Sequence, residues 1–250
     1  MSITASSLIS ASEPVTQQRP GALVLCAHGA RGLACAAAHQ AGAMRRAGLF
    51  DAVDACALYG KPRLETVLDC LSGRDVVLVP FLLAEGWTLD VLIERLRPYR
   101  GRVRLAPPLG AHDGMAGVLI ERALNGCRMR DWPAAETAVL LVGHGSTRHP
   151  RSAETTWRHA AAIAGSGRFA EVAAAFLDQA PTVAEMVAEL RAPRIATIGY
   201  LSDAGNHGAV DIPRLLGRTG RTTAYLGAIG RDPGLLRLIA EQAEAALSGC

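Results

Sequence analysis

Residues Ala138–Gly145 read AVLLVGHG, and residues Gly21–Gly29 read GALVLCAHG. Each is a short apolar run, rich in leucine and valine, that closes on glycine and histidine. A run of this kind, without polar alternation, suits a strand covered on both faces, as in a parallel sheet. The agreement continues outward. An Ala-rich amphipathic stretch follows each run, Leu33–Ala47 in one half and Ala153–Ala164 in the other. Second strands are expected at Ala52–Leu58 and Glu171–Leu177. A proline, Pro62 or Pro181, then precedes a helical segment, LETVLDCL or VAEMVAEL. Third strands fall at Asp75–Phe81 and Arg194–Leu201. A glycine-containing loop and an Asp at a helix start (Asp90, Asp211) come next, and each half ends with a short strand, a PLG or AIG turn, and a helix over Gly114–Leu124 or Gly234–Leu247.

Strands alternating with helices at this spacing predict right-handed βαβ units. The expected fold is α/β, with two similar doubly wound parallel-sheet domains facing a central cleft. The polar, proline-containing stretch Arg128–Glu136 divides them, giving an N-terminal domain over 21–130 and a C-terminal domain over 136–250. Residues 1–20 are polar and Ser/Thr-rich and read as a flexible leader.

Composition narrows the function. Half of the 250 residues are apolar and only 4% are aromatic, which favours packed helix–sheet layers over an all-β barrel. The net charge of +3 comes with neither a dense basic stripe nor an aromatic base-stacking platform, so no nucleic-acid partner is expected. No apolar run is long enough for a membrane span, and no basic segment precedes an apolar one as in a secretory signal. The six cysteines form no C-x-x-C pair and read as ordinary thiols of a reducing, cytoplasmic compartment.

In open parallel sheets, ligands sit beyond the carboxyl ends of strands. That rule points to His28 and His144. His144 stands between two glycines that let the chain turn and leave the imidazole clear. His207, in DAGNHGAVDIP, follows the third strand of the same half, which places both imidazoles over one cleft. Two neutral imidazoles in a half-open cleft suit cobalt, iron, nickel or zinc and leave positions for a substrate. Asp178, ending AAFLD, either completes such a site and accepts protons or merely shapes the loop before Pro181. Asp211, followed by Ile212 and Pro213, is expected to cap the next helix.

The ordered set GHGSTRHPRSAETT, AAFLDQAPTVAEM and IGYLSDAGNHGAVDIPRLL resembles the type II chelatase family of sirohydrochlorin cobaltochelatases and ferrochelatases. The resemblance implies that His144 and His207 bind the metal and help to remove the pyrrole protons. It places Asp178 where the family usually carries a glutamate. Ser146, Arg148 and Arg151 then face the carboxylates of the macrocycle, or the arginines simply begin a solvated helix. The implied partners are a tetrapyrrole and a divalent metal ion (Co2+ or Fe2+, with Ni2+ as a third), and no permanently bound cofactor is expected. No ATP is implied, because no G-x-x-x-x-G-K-[ST] run is present.

The N-terminal half has the same plan with less chemistry. His28 stands there alone, either handling protons in the shared cleft or serving structure. Tyr59 aligns with Asp178, and Trp87 with His207. Trp87 either stacks on the macrocycle or packs internally. His39, His112, His149 and His159 are expected at the surface. Two rival readings remain at this stage: a non-catalytic tetrapyrrole or metal carrier, and a hydrolase using Ser146. The hydrolase lacks a G-x-S-x-G elbow and any marked acidic partner for a histidine.

Overall fold

The computed structural model describes residues 19–29, 35–147, 149 and 151–248. Residues 1–18 of the expected leader and Arg148 lie outside them. The chain runs β1 (Arg19–Ala27), α1 (Cys35–Ala47), β2 (Phe50–Ala57), α2 (Leu64–Cys70), β3 (Val76–Pro80), α3 (Trp87–Leu96), β4 (Val103–Leu105) and α4 (Met115–Arg128). It then repeats as β5 (Thr137–Gly143), α5 (Arg151–Gly165), β6 (Glu171–Phe176), α6 (Val183–Glu189), β7 (Arg194–Gly199), α7 (Ile212–Gly217), β8 (Thr222–Ala228) and α8 (Leu235–Ser248).

The strands form two four-stranded sheets in the orders β2-β1-β3-β4 and β6-β5-β7-β8, with every pairing parallel. This is the doubly wound arrangement expected from the alternating runs. The central strands are largely apolar because both faces are covered: every residue of β3 and of β5 is buried. Order reverses between β1 and β3, and again between β5 and β7. The connections leaving those neighbours diverge to opposite faces and open a crevice at their carboxyl ends.

Three apolar layers account for most of the packing. One face of the first sheet is covered by α2 and α3, through Leu64, Leu68, Leu92 and Leu96. The corresponding face of the second sheet is covered by α6 and α7, through Val183, Val187, Ile212 and Leu216. Between the sheets lies one continuous core that draws on both halves. Here the last helices cross over. Leu235, Leu238, Ile239 and Ala243 of α8 join Leu23, Leu25, Val77 and Val79 of the first sheet, and Met115, Leu119 and Ala123 of α4 join Val139, Leu141 and Ile198 of the second. Polar contacts follow the same exchange: Gln242 Nε2 donates to the carbonyls of Pro107 and Pro108, and Arg122 Nη1 meets Asp232 at 2.8 Å. The PLG and AIG turns need their glycines, since a Cβ at Gly110 would collide with the Leu83 carbonyl and one at Gly230 with that of Ser202.

Two histidines depart from expectation. His159 is buried, because it falls on the same stripe of α5 as Thr156, Ala160 and Ile163, and its Nε2 donates to the Gly110 carbonyl at 2.8 Å. His112 is largely covered and contacts Glu241 at 3.1 Å. In both cases the covering surface comes from the other half of the chain, which the local sequence around each histidine does not show. Cys26, Cys56 and Cys127 are buried and unbridged. Among the described residues no helix is long and apolar enough to cross a membrane.

Candidate functional site

The second sheet positions its chemistry at the ends of β5, β6 and β7. His144 follows β5 directly, and its backbone carbonyl accepts from Asp178 N at 2.9 Å, tying the loop after β6 to the loop after β5. Gly145 has φ +73°, and a Cβ there would stand 2.9 Å from the Phe176 Cβ, so only glycine lets the chain turn this tightly. Gln179 Oε1 accepts from Ser146 N at 2.7 Å and holds the next residue. Residue by residue, the histidine loop is fixed by its neighbour.

His207 opens a π-helical turn, His207–Asp211, that runs straight into α7. The four-residue spacing brings Asp211 Oδ2 within 2.9 Å of His207 Nδ1, while Asp211 Oδ1 accepts from Arg214 at 3.1 Å. Asp211 therefore does not cap the helix as expected. Its backbone is already helical, with φ −69° and ψ −49°, and its carboxylate makes no capping bond. A cap requires a residue leaving the helix, and here the turn continues without a break.

The two imidazoles lie together. Their ring centroids are 5.0 Å apart and their planes are nearly perpendicular, at 88°. Two imidazoles bound to one ion through bonds of about 2.1 Å would have centroids about 5 Å apart at a near-tetrahedral angle. Asp178 Oδ2 lies 3.3 Å from His144 Nδ1, whose other neighbour is the Gly145 carbonyl at 3.1 Å. Among the described residues the partners of both Nδ1 atoms are acceptors, an arrangement that favours the ring proton on Nδ1 and leaves Nε2 to meet an ion. Both side chains are about half exposed. The expectation that neither histidine has an acidic partner is thus corrected: each has one. Among the described residues no group of three or more His, Cys, Asp or Glu forms a metal-binding set, so further ligands to an ion on this pair would come from water or substrate.

The first sheet presents the matching positions with other residues. Tyr59 N donates to the His28 carbonyl at 2.9 Å, the bond that Asp178 N makes to His144. Tyr59 therefore occupies the backbone place of Asp178, as the alignment of the halves suggests. The His28 and Tyr59 rings are 5.1 Å apart, and Tyr59 stacks parallel to Trp87, within 5°, at 5.9 Å. Burial, and then the charge that a protonated His144 would carry, hold the His28 imidazole below its ordinary pKa. His28 thus stays neutral at neutral pH.

The remaining residues singled out from the sequence are spread along the rim. Ser146 Oγ accepts from His149 N at 3.2 Å. Arg151 opens α5 and lies 3.5 Å from Asp90 of α3, an exposed contact that spans the halves. A second link was missed from the sequence: Asp203, after β7, accepts from Ala36 N at the start of α1 at 3.1 Å. Gln179 was missed as well. The His207–Asp211 pairing was open to discovery, because residues four apart share a helical face.

A family model for CbiX matches residues 22–125 and 138–246, the two halves of the repeat. This chain belongs to the CbiX family. The membership bears out the resemblance read from GHGSTRHPRSAETT and the two segments after it. CbiX-like features extend over nearly the whole chain. A probable sirohydrochlorin cobaltochelatase of Halobacterium salinarum is 27% identical over 89% of this chain and 90% of its own length. A Deinococcus radiodurans protein, described as having structural similarity to chelatases and two additional novel domains, superposes with a TM-score of 0.76 at 24% identity. That match covers 89% of this chain and 54% of the Deinococcus one, so the present chain spans about half its length. A structure of CbiX described as the terminal enzyme of siroheme biosynthesis in denitrifying bacteria gives a TM-score of 0.73 at 24% identity, over 90% of this chain and 98% of that one. The two structures establish the shared fold.

Proposed function

We propose that the protein is a sirohydrochlorin chelatase that inserts cobalt or ferrous iron, with nickel as a third candidate, into the tetrapyrrole. The metal site lies in the C-terminal half, 136–250, and the half spanning 21–130 is a degenerate copy. One observation carries the reading: His144 and His207, from separate loops, stand with centroids 5.0 Å apart at the strand ends, each backed by a carboxylate. The name of the Halobacterium relative favours cobalt, whereas the description of the CbiX structure favours siroheme and hence iron.

Insertion exchanges two pyrrole protons for one divalent cation, so a base must be present where the ion is delivered. His144 and His207 hold the ion through Nε2, and Asp178 and Asp211 fix the ring tautomers and orient both imidazoles. His28 is uncharged at neutral pH and can accept a departing proton. The open coordination positions admit the ring nitrogens. Ser146 and Arg151, on the rim, are assigned to the substrate carboxylates, and so, from the sequence, is Arg148, which lies outside the described residues. The Arg151–Asp90 contact is an exposed one, worth about 0–1 kcal/mol, and yields readily to a substrate carboxylate.

The test is the absorption spectrum of sirohydrochlorin mixed with Co2+, Fe2+ or Ni2+ and sub-stoichiometric protein. Many turnovers per protein molecule are expected, with roughly a hundredfold loss or more in His144→Ala and His207→Ala and little change in Ser146→Ala. Stoichiometric uptake without faster insertion would instead identify a carrier.

A further inference from the structure

Aromatic residues are scarce in this chain, yet two of its few exposed large apolar side chains stack on one another. Tyr59 is 44% exposed and Trp87 is 50% exposed. An internal packing role would hide these rings. Their parallel planes with centroids 5.9 Å apart are the mark of an offset stack, which leaves part of each face open. Their position is bracketed by two links to the other half. On one side His28 touches Tyr59 at 5.1 Å, and α1, the helix that follows His28, is tied to the loop after β7 by the Ala36 N–Asp203 bond at 3.1 Å. On the other, Asp90 in the first turn of the helix that Trp87 begins is 3.5 Å from Arg151. The elements that carry the aromatic pair are therefore tied to the strand-end loops of the second sheet, where the histidine pair stands.

We propose that Tyr59 and Trp87 form the surface against which the tetrapyrrole ring lies while its centre meets His144 and His207. This rests on the chelatase reading above. The repeat explains how such a wall arises. At the backbone position where the second half carries the Asp178 carboxylate, the first half carries a phenol ring, and at the loop after the third strand it carries an indole in place of an imidazole. One half holds the ion and the other holds the flat apolar face of the ring. Stacking is insensitive to the substituents at the ring edge, so this wall recognises the macrocycle as a class, whereas the loop arginines recognise its carboxylates.

The test compares the wild-type protein with Trp87→Leu, Trp87→Phe and the double variant Tyr59→Leu/Trp87→Leu. Metal-free sirohydrochlorin is titrated into each, followed by its absorption band and by quenching of tryptophan fluorescence. Co2+ is titrated separately without tetrapyrrole. Loss of the stack should raise the sirohydrochlorin Kd about tenfold in the double variant and severalfold in Trp87→Leu, with Trp87→Phe close to wild type. The Co2+ Kd should stay within about twofold, since the histidine pair is untouched. Trp87 is exposed and its truncation leaves no core void, so Trp87→Leu decides the matter. Unchanged sirohydrochlorin affinity in Trp87→Leu and the double variant, with a wild type that binds, overturns the aromatic wall alone. A wild type that does not bind sirohydrochlorin overturns the chelatase reading and this inference together.

Discussion

At the scale of single residues, His159 shows how a polar group is accommodated between the halves. Its Nε2 donates to the Gly110 carbonyl, its ring packs 5.5 Å from that of Tyr200, and the Tyr200 hydroxyl donates to the Leu83 carbonyl at 3.0 Å. Burial holds its pKa below the ordinary value, only partly opposed by the Gly110 carbonyl. The sign of the pH effect follows. Above about pH 6.5 the imidazole is neutral whether the chain is folded or not, and it contributes no slope. As pH falls below that value the unfolded chain takes up the proton first, so stability declines until the lowered folded pKa is reached. The urea midpoint should therefore be lower at pH 5.5 than at pH 7.5, and His159→Gln should show a smaller difference between the two. A remainder is expected from His28, whose pKa is also lowered. An unchanged difference in His159→Gln would remove His159 from the account.

At the scale of elements, the short helix α6 depends on its start. Thr182 Oγ1 accepts from Glu185 N at 3.3 Å and Glu185 Oε2 accepts from Thr182 N at 2.7 Å, a reciprocal capping box. Thr182→Ala should lower stability by about 1 kcal/mol in urea unfolding. Co2+ affinity should hold within about twofold, because the Asp178 loop is tied to His144 by backbone bonds rather than by the cap. A large loss of Co2+ binding would show that α6 positions the site. This box is legible as T-x-x-E, just as β5 and β7 are legible as AVLLV and RIATIG. The strands and their order follow from apolar runs of fixed length, and so did the two histidines at strand ends. What stayed hidden has physical causes. DAGNHGAVDIP carries two glycines and reads as a loop, so the π-helical turn joining His207 to Asp211 left no periodic trace. Asp178 and Asp211 were noticed individually, but which imidazole each would meet depends on loop closure between strands. The Tyr59–Trp87 stack joins loops after different strands, and no local spacing reports it.

At the scale of the whole molecule, the apolar stripes of α4 and α8 announce two amphipathic helices but not which sheet each covers. The structure exchanges them: α8 closes the first sheet and α4 the second, and both enter one core with β1, β3, β5 and β7. The approach is close enough that a Cβ at Gly114 would stand 2.8 Å from Leu238, and one at Gly234 3.0 Å from Val118. Neither sheet keeps its full cover if the other half unfolds, so the halves should melt as one unit even though each repeats the same plan. Leu238 lies in this shared core and is fully buried. Leu238→Ala should cost about 2–5 kcal/mol. Far-UV circular dichroism and tryptophan fluorescence should report the same single urea transition in both proteins, displaced to lower urea in the variant. Hydrogen exchange should show the amides of β1 and β3 losing protection together with those of β5 and β7, although the substitution is in the last helix of the chain. Two separated transitions, with only one of them moved by Leu238→Ala, would mean that the halves unfold independently and that the crossed helices do not couple them. Coupling of this kind also serves the candidate site. The histidine pair belongs to one sheet and the Tyr59–Trp87 stack to the other, and the crossed helices hold the two sheets in the fixed relation that the proposed shared ligand requires.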